Sequence, residues 1–218
     1  MANQLKLAVL ISGRGSNLQA LIDATIEPTF PAEITRIISN EPDAAGLERA
    51  VEADISSTIV PHRDYLDRQS FEAALDKVVR DSGAELIVLA GFMRLLTRDF
   101  VDAWRDKLIN IHPSLLPSFK GMHTHERVLE AGGRFTGCTV HYVRPEMDEG
   151  PIIIQAAVPV LPGDNKNDLA ARILKQEHVI YPLAVRLIAE GRVRVQKERV
   201  IIEDAGLSAP TSTINPVP

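Results

Sequence analysis

The sequence predicts an α/β fold: a mostly parallel sheet flanked by helices, with antiparallel strands added in the C-terminal half. Three observations carry this. Apolar runs such as LKLAVLIS (5–12) and ELIVLAG (85–91) are short and continuous, the pattern of strands buried on both faces. Segments with helical spacing of apolar residues alternate with them through short connections. After residue 135 the rhythm changes, and FTGCTVHYV and PIIIQAAVPV follow each other across a loop with no helix between.

In order, the first strand covers 5–12, Gly13 to Asn17 form a turn, and Leu18, Leu21 and Ile22 give the helix behind it an apolar stripe. ITRIIS (34–39) is the second strand. Asp43 is expected to cap a helix running to about Ala53, with Leu47, Ala50 and Val51 on one face. STIV (57–60) is a third strand, and Leu66, Phe71, Leu75, Val78 and Val79 mark a helix over 66–81. ELIVLAG, a short helix over 97–104 and LINIH (108–112) complete the parallel part. The two antiparallel runs come next, then a long helix over 166–190. Its apolar residues are Leu169, Ile173, Leu174, Ile180, Leu183, Leu187 and Ile188, and Pro182 is a candidate kink. RVRVQ and RVII suggest a terminal hairpin. Residues 204–218 lack periodicity and are expected to form a flexible tail.

The 218 residues suit a single domain over 1–203, and the composition, 45% hydrophobic and 24% charged, is that of a soluble globular protein. A net charge of −5 argues against a diffuse basic surface for nucleic acid or anionic lipid, so a phosphate site has to be local. The single cysteine, Cys138, excludes an internal disulfide. No signal peptide or membrane span is read, and a cytoplasmic location is expected.

Three motifs carry chemistry. SGRGSN (12–17) follows the first strand and opens a helix. There the N–H groups of Gly15, Ser16 and Asn17 can converge on an anion, although such a turn can equally be a plain connection capped by Asn17. In LINIH, Asn110 and His112 are two apart in a strand and share a face, at the end where open α/β sheets bind ligands. An amide and an imidazole together can stabilise an oxyanion and handle a proton. EMDEGPII (146–153) sets Asp148 in an acidic loop between two strands, and an aspartate beside a histidine orients it and favours its charged form. His123 and His125 have a metal-like spacing but no third ligand, so no metal is expected. Cys138 and Trp104 are read as packing. Glu177 and His178 are either surface residues or, if their helix flanks the cleft, a carboxylate that meets a substrate amine.

Together these segments resemble the folate-dependent phosphoribosylglycinamide formyltransferase family. The resemblance runs through SGRGSNLQALI, SNEPDAAGLERA, LAGFMRLL, INIHPSLLPSFKGMHTHERVLEAG, GCTVHYVRPEMDEGPIIIQAAVPV and QEHVIYP. It implies a Rossmann-like sheet shared by a nucleotide-binding half (about 1–107) and a half completing the folate and catalytic site (about 108–203). It further implies transfer of a formyl group from 10-formyltetrahydrofolate, a co-substrate, to glycinamide ribonucleotide in purine synthesis, by a monomer or homodimer. The family's catalytic residues match Asn110, His112 and Asp148. Its ribonucleotide contacts match Gly15, Ser16, Asn17 and Glu177. Its folate contacts match Arg68, Met93, Arg94, Leu95, Leu96 and Asn110, with the loop Arg144, Pro145, Glu146, Met147 and Asp148. Pro145 stands where the family commonly has an acidic residue, and Lys120 is given no role. Two other readings are a formyltetrahydrofolate deformylase, which passes the formyl group to water, and a non-catalytic nucleotide-binding module. A methionyl-tRNA formyltransferase fits less well, for want of a C-terminal basic RNA-binding domain.

Overall fold

Leu5–Ile11 forms strand β1, and β2 (Ala32–Ser39), β3 (Ser57–Ile59), β4 (Leu86–Leu89) and β5 (Leu108–His112) join it in parallel. β6 (Phe135–Tyr142) and β7 (Ile152–Pro159) add antiparallel beyond β5. This computed structural model describes residues 4–203 and residue 215, so the expected tail over 204–218 lies outside the described residues except at Asn215, whose amide donates to the Arg134 and Val160 carbonyls.

The sheet order is β3-β2-β1-β4-β5-β6-β7. The chain steps outward from β1 to β3, then returns to β4 on the other side of β1. That reversal opens a crevice at the carboxyl ends of β1 and β4, where ligands bind in sheets of this kind. A separate hairpin, β8 (Val193–Gln196) and β9 (Arg199–Ile202), stands where the sequence suggests one.

β1 shows why its run is uniformly apolar. Leu7, Val9 and Ile11 enter one core, with α1 (Ser16–Thr25), α5 (Thr124–Glu130) and α6 (Lys166–Ala189). Ala8 and Leu10 enter the other, with α3 (Arg68–Asp81) and α4 (Arg98–Ala103). All five are fully buried, so both faces of the strand need apolar side chains. Among the described residues no helix is long and apolar enough to cross a membrane.

The helix starts differ from expectation in two places. α2 (Gly46–Glu52) begins after Ala45 with no side-chain cap, so Asp43 does not cap it. Its start is fixed by packing: Gly46 N–H donates to the Gly13 carbonyl at 2.9 Å, and a Cβ on Gly46 would lie 2.6 Å from Ile11 Cδ1. Small Gly46 and Ala50 form the buried face, which turns Val51 out to 77% exposure. α3 starts at Arg68 because the Asp67 carboxylate accepts from Ser70 N–H at 2.7 Å, leaving Leu66 outside the helix and fully exposed. In α6 the chain continues helically through Pro182, and Leu183 faces outward.

Candidate active site

β5 ends in the crevice and presents Asn110 and His112 on one face, as the two-residue period requires. Asp148 comes from the loop joining β6 to β7 in a left-handed conformation, φ 55°. One Asp148 oxygen stands 3.4 Å from His112 Nδ1 and accepts from Gly121 N–H at 2.8 Å. His112 Nε2 meets the Phe119 carbonyl at 3.0 Å, and because a carbonyl only accepts, Nε2 carries a hydrogen. Both ring nitrogens of this buried histidine therefore face acceptors. A ligand oxygen that takes the Nε2 proton has to displace the Phe119 carbonyl.

The sequence reading missed a fourth member, His141. It sits across from Asn110 in the β5–β6 register, a neighbour that only the strand pairing reveals. Its Nδ1 donates to the Tyr142 carbonyl at 2.9 Å, and Nε2 lies 3.4 Å from Asn110 Nδ2 and 3.8 Å from Asp148. Burial lowers its pKa, outweighing the hydrogen bond to Tyr142 and the charge of Asp148. The neutral ring offers Nε2 as an acceptor to one Asn110 amide hydrogen, and the second amide hydrogen stays available to a ligand. The one visible signal was a lone imidazole in an apolar strand.

At the neighbouring end of β1, Gly15 takes φ 70° and ψ 30° as the N-cap of α1. A Cβ there would lie 2.7 Å from Gly46 Cα, so glycine is required twice over, by conformation and by space. The N–H groups of Ser16 and Asn17 belong to the first turn, which lacks intrahelical acceptors and carries the positive end of the helix dipole. Asn17 is thus not the cap. Its Nδ2 donates at 2.7 Å to Glu177 of α6, while its buried Oδ1 has no protein partner. Burial raises the Glu177 pKa against the opposing Asn17 hydrogen bond. Arg49 braces the turn by donating to the Arg14 carbonyl at 3.0 Å and to Gln19 at 2.9 Å, a role the sequence reading did not assign.

Ser12 links this turn to the next segment: its hydroxyl accepts from Met93 N–H at 2.8 Å, and its own N–H donates to the Gly91 carbonyl. Met93 and Leu95 are exposed at 72% and 57%, an unusual display of apolar side chains beside a crevice. Arg94 and Leu96 are half-buried. Arg68 opens α3 four residues before Glu72, on the helix face that meets Thr97, where Glu72 accepts from the Thr97 backbone. Arg98 pairs at 2.8 Å with Glu146, joining α4 to the Asp148 loop. Pro145 and Met147 lie in that loop, Met147 being 48% exposed. A cavity of about 220 Å³ runs under it, lined by Leu116, Lys120 and Asp148 among others. The guanidinium of Arg144 pairs with Asp106 and Glu198, so it is the backbone of this residue that is left to meet a ligand.

His123 pairs with Glu126 at 3.5 Å, and the described residues contain no cluster of three metal-ligating side chains. Cys138 is fully buried, and burial pushes its thiol up to about 12, far from nucleophilic.

A family model described as formyl transferase matches residues 5–185, most of the chain. The chain belongs to the formyl transferase family. The chain is 41% identical to a phosphoribosylglycinamide formyltransferase of Haemophilus influenzae, over 93% of its own length and 95% of that protein. A crystal structure of glycinamide ribonucleotide transformylase 1 from Symbiobacterium toebii superposes with a TM-score of 0.90 at 46% identity, covering 93% of this chain and 95% of that one. The chain is also 50% identical to the trifunctional purine biosynthetic protein adenosine-3 of Gallus gallus, across 88% of its own length but only 19% of that protein's. That fraction makes the match one to a part of the longer protein.

Proposed function

We propose that this formyltransferase moves the formyl group of 10-formyltetrahydrofolate to the amine of glycinamide ribonucleotide, yielding formylglycinamide ribonucleotide and tetrahydrofolate for purine synthesis. The observation that carries this is the opening of two sites onto one crevice. The Gly15–Asn17 turn with Glu177 suits a phosphorylated amine, and Asn110, His112 and Asp148 suit acyl transfer. Exposed Met93 and Leu95, with Arg68, Arg94, Leu96 and the 144–148 loop, are our assignment for the folate.

In this reading the neutral amine attacks the formyl carbon, and the carbonyl oxygen becomes an oxyanion. The free Asn110 amide hydrogen and His112 donate to it, and Asp148 holds the imidazole and helps pass the amine proton to the folate leaving nitrogen. Holding both substrates in contact contributes about 7–11 kcal/mol of the barrier reduction. No covalent enzyme intermediate is required. All these residues come from one chain, which suits a monomer or a homodimer, and we place the reaction in the cytoplasm.

A deformylase needs the Asn-His-Asp group but has no use for an anion cradle with a buried carboxylate beside it. Incubation with 10-formyltetrahydrofolate, with and without glycinamide ribonucleotide, separates the readings. Tetrahydrofolate released only in the presence of ribonucleotide is the expected result. Release without it indicates a hydrolase, and no release in either case indicates a binding module.

A further inference from the structure

The loop that carries Asp148 starts at Arg144, and that residue is tied to a part of the molecule outside the crevice. Arg144 is only 8% exposed. Its Nε donates to Glu198 at 2.6 Å, Nη2 to Asp106 at 2.6 Å and Nη1 to the Val143 carbonyl at 3.1 Å. Every guanidinium nitrogen is thus engaged, and the planar fork cannot swing without losing a charge-assisted bond. Burial alone would lower the Arg144 pKa, but the bonds to Glu198 and Asp106 outweigh it and hold it above its ordinary value.

The two carboxylates occupy demanding positions. Glu198 lies in the tight turn between β8 and β9 at φ 56°, and Asp106 in the turn before β5 at φ 58°. The second Glu198 oxygen takes Arg105 at 2.5 Å, so the hairpin tip is fixed to the approach to β5 as well. The loop's other stem closes on the same arginine: a Cβ on Gly150 would fall 3.3 Å from Arg144 Cγ and 1.7 Å from the Tyr142 carbonyl oxygen. Arg98–Glu146 and Lys120–Glu149 also hold the loop, but their cationic side chains are 63% and 36% exposed against 6% for Arg144. Arg144 is therefore the loop's desolvated anchor.

We propose that Glu198 is a positioning residue: acting through Arg144, the β8–β9 hairpin tip holds the stem of the 144–150 loop and so sets Asp148 against His112. The proposal rests on the reading of Asp148 as part of the reacting group. It gives the C-terminal hairpin, which supplies no residue to the crevice, a part in the reaction.

The test uses the full chain with Glu198→Gln, which keeps the shape and removes the charge, and Glu198→Asp, which keeps a carboxylate. Amide hydrogen exchange over 144–150 should quicken roughly fivefold in E198Q, the upper range for a pair with one half-exposed partner. kcat/KM for 10-formyltetrahydrofolate should fall by a similar factor while KM for the ribonucleotide holds, and Tm should drop by about 2–4 °C, the global share of the same loss. E198D should recover part of both effects. Loop exchange at the wild-type rate in E198Q overturns the anchor. Faster exchange with unchanged kcat/KM overturns the positioning role. Failure of the functional reading looks different, because the wild type itself would then release no folate in response to ribonucleotide.

Discussion

His112 and Asp148 make a contact that a single substitution can dissect. Asparagine tolerates the left-handed backbone at 148 and can still accept from Gly121 N–H, so Asp148→Asn removes charge with little else changed. Turnover should drop by about 10²–10⁴-fold, the range for losing proton-transfer assistance, with ribonucleotide affinity retained. Steady-state rates and calorimetric titration check this, and near-normal turnover would remove Asp148 from the mechanism. Asn110 and His112 were legible as a pair because strand periodicity is local. That Asp148 meets His112 is a long-range fact which the family resemblance, not the spacing, supplied. His141 was missed because its importance depends on which Asn110 it faces, and the β5–β6 register is not written in either strand alone.

Among the elements, the turn from β1 into α1 concentrates the tightest packing. Gly15→Ala would force an L-residue to φ 70° and drive its Cβ against Gly46 Cα, which α2 cannot yield without leaving Ile11. The left-handed backbone alone costs about 1–2 kcal/mol, and the overlap adds to it. Chemical denaturation should show a loss of at least that size, and KM for the ribonucleotide should rise as the Ser16 and Asn17 N–H groups are displaced. A variant with wild-type stability and KM would mean that the turn is not the cradle. The same packing explains where element reading succeeded and failed. Continuous apolar strands such as β1 and β4 announce themselves, whereas the start of α2 is set by contact with Ile11 and Gly13, so a plausible cap at Asp43 went unused. Leu66 and Val51 fit a helical stripe by spacing, yet Asp67 capping excludes the first and the small buried face of Gly46 and Ala50 turns the second outward.

At the scale of the molecule, the two halves share one sheet and one crevice, joined by the Asn17–Glu177 hydrogen bond across 160 positions. That design buries polar groups, and burial gives stability a definite pH dependence. His125, His141 and His178 are all held below the ordinary value of 6.5, in each case by burial first. Below about pH 6.5 the unfolded chain takes up protons on these rings that the folded chain refuses, so stability falls as the pH drops towards the folded values. Glu177 has the opposite sign. Burial raises its folded value above 4.5, so its contribution is full below that pH and is lost as the pH rises through the raised value. With three rings set against one carboxylate, the histidines fix the net sign in the mildly acidic range, and Tm should decline from about pH 7.5 to about pH 5.5. His178 lies outside the proposed reacting group, its buried Nε2 has no hydrogen-bond partner in the protein, and burial outweighs the nearby Asp23 charge that favours its protonation. His178→Gln should flatten the decline while leaving turnover intact. A decline of equal slope in wild type and variant would show that the acid sensitivity arises elsewhere.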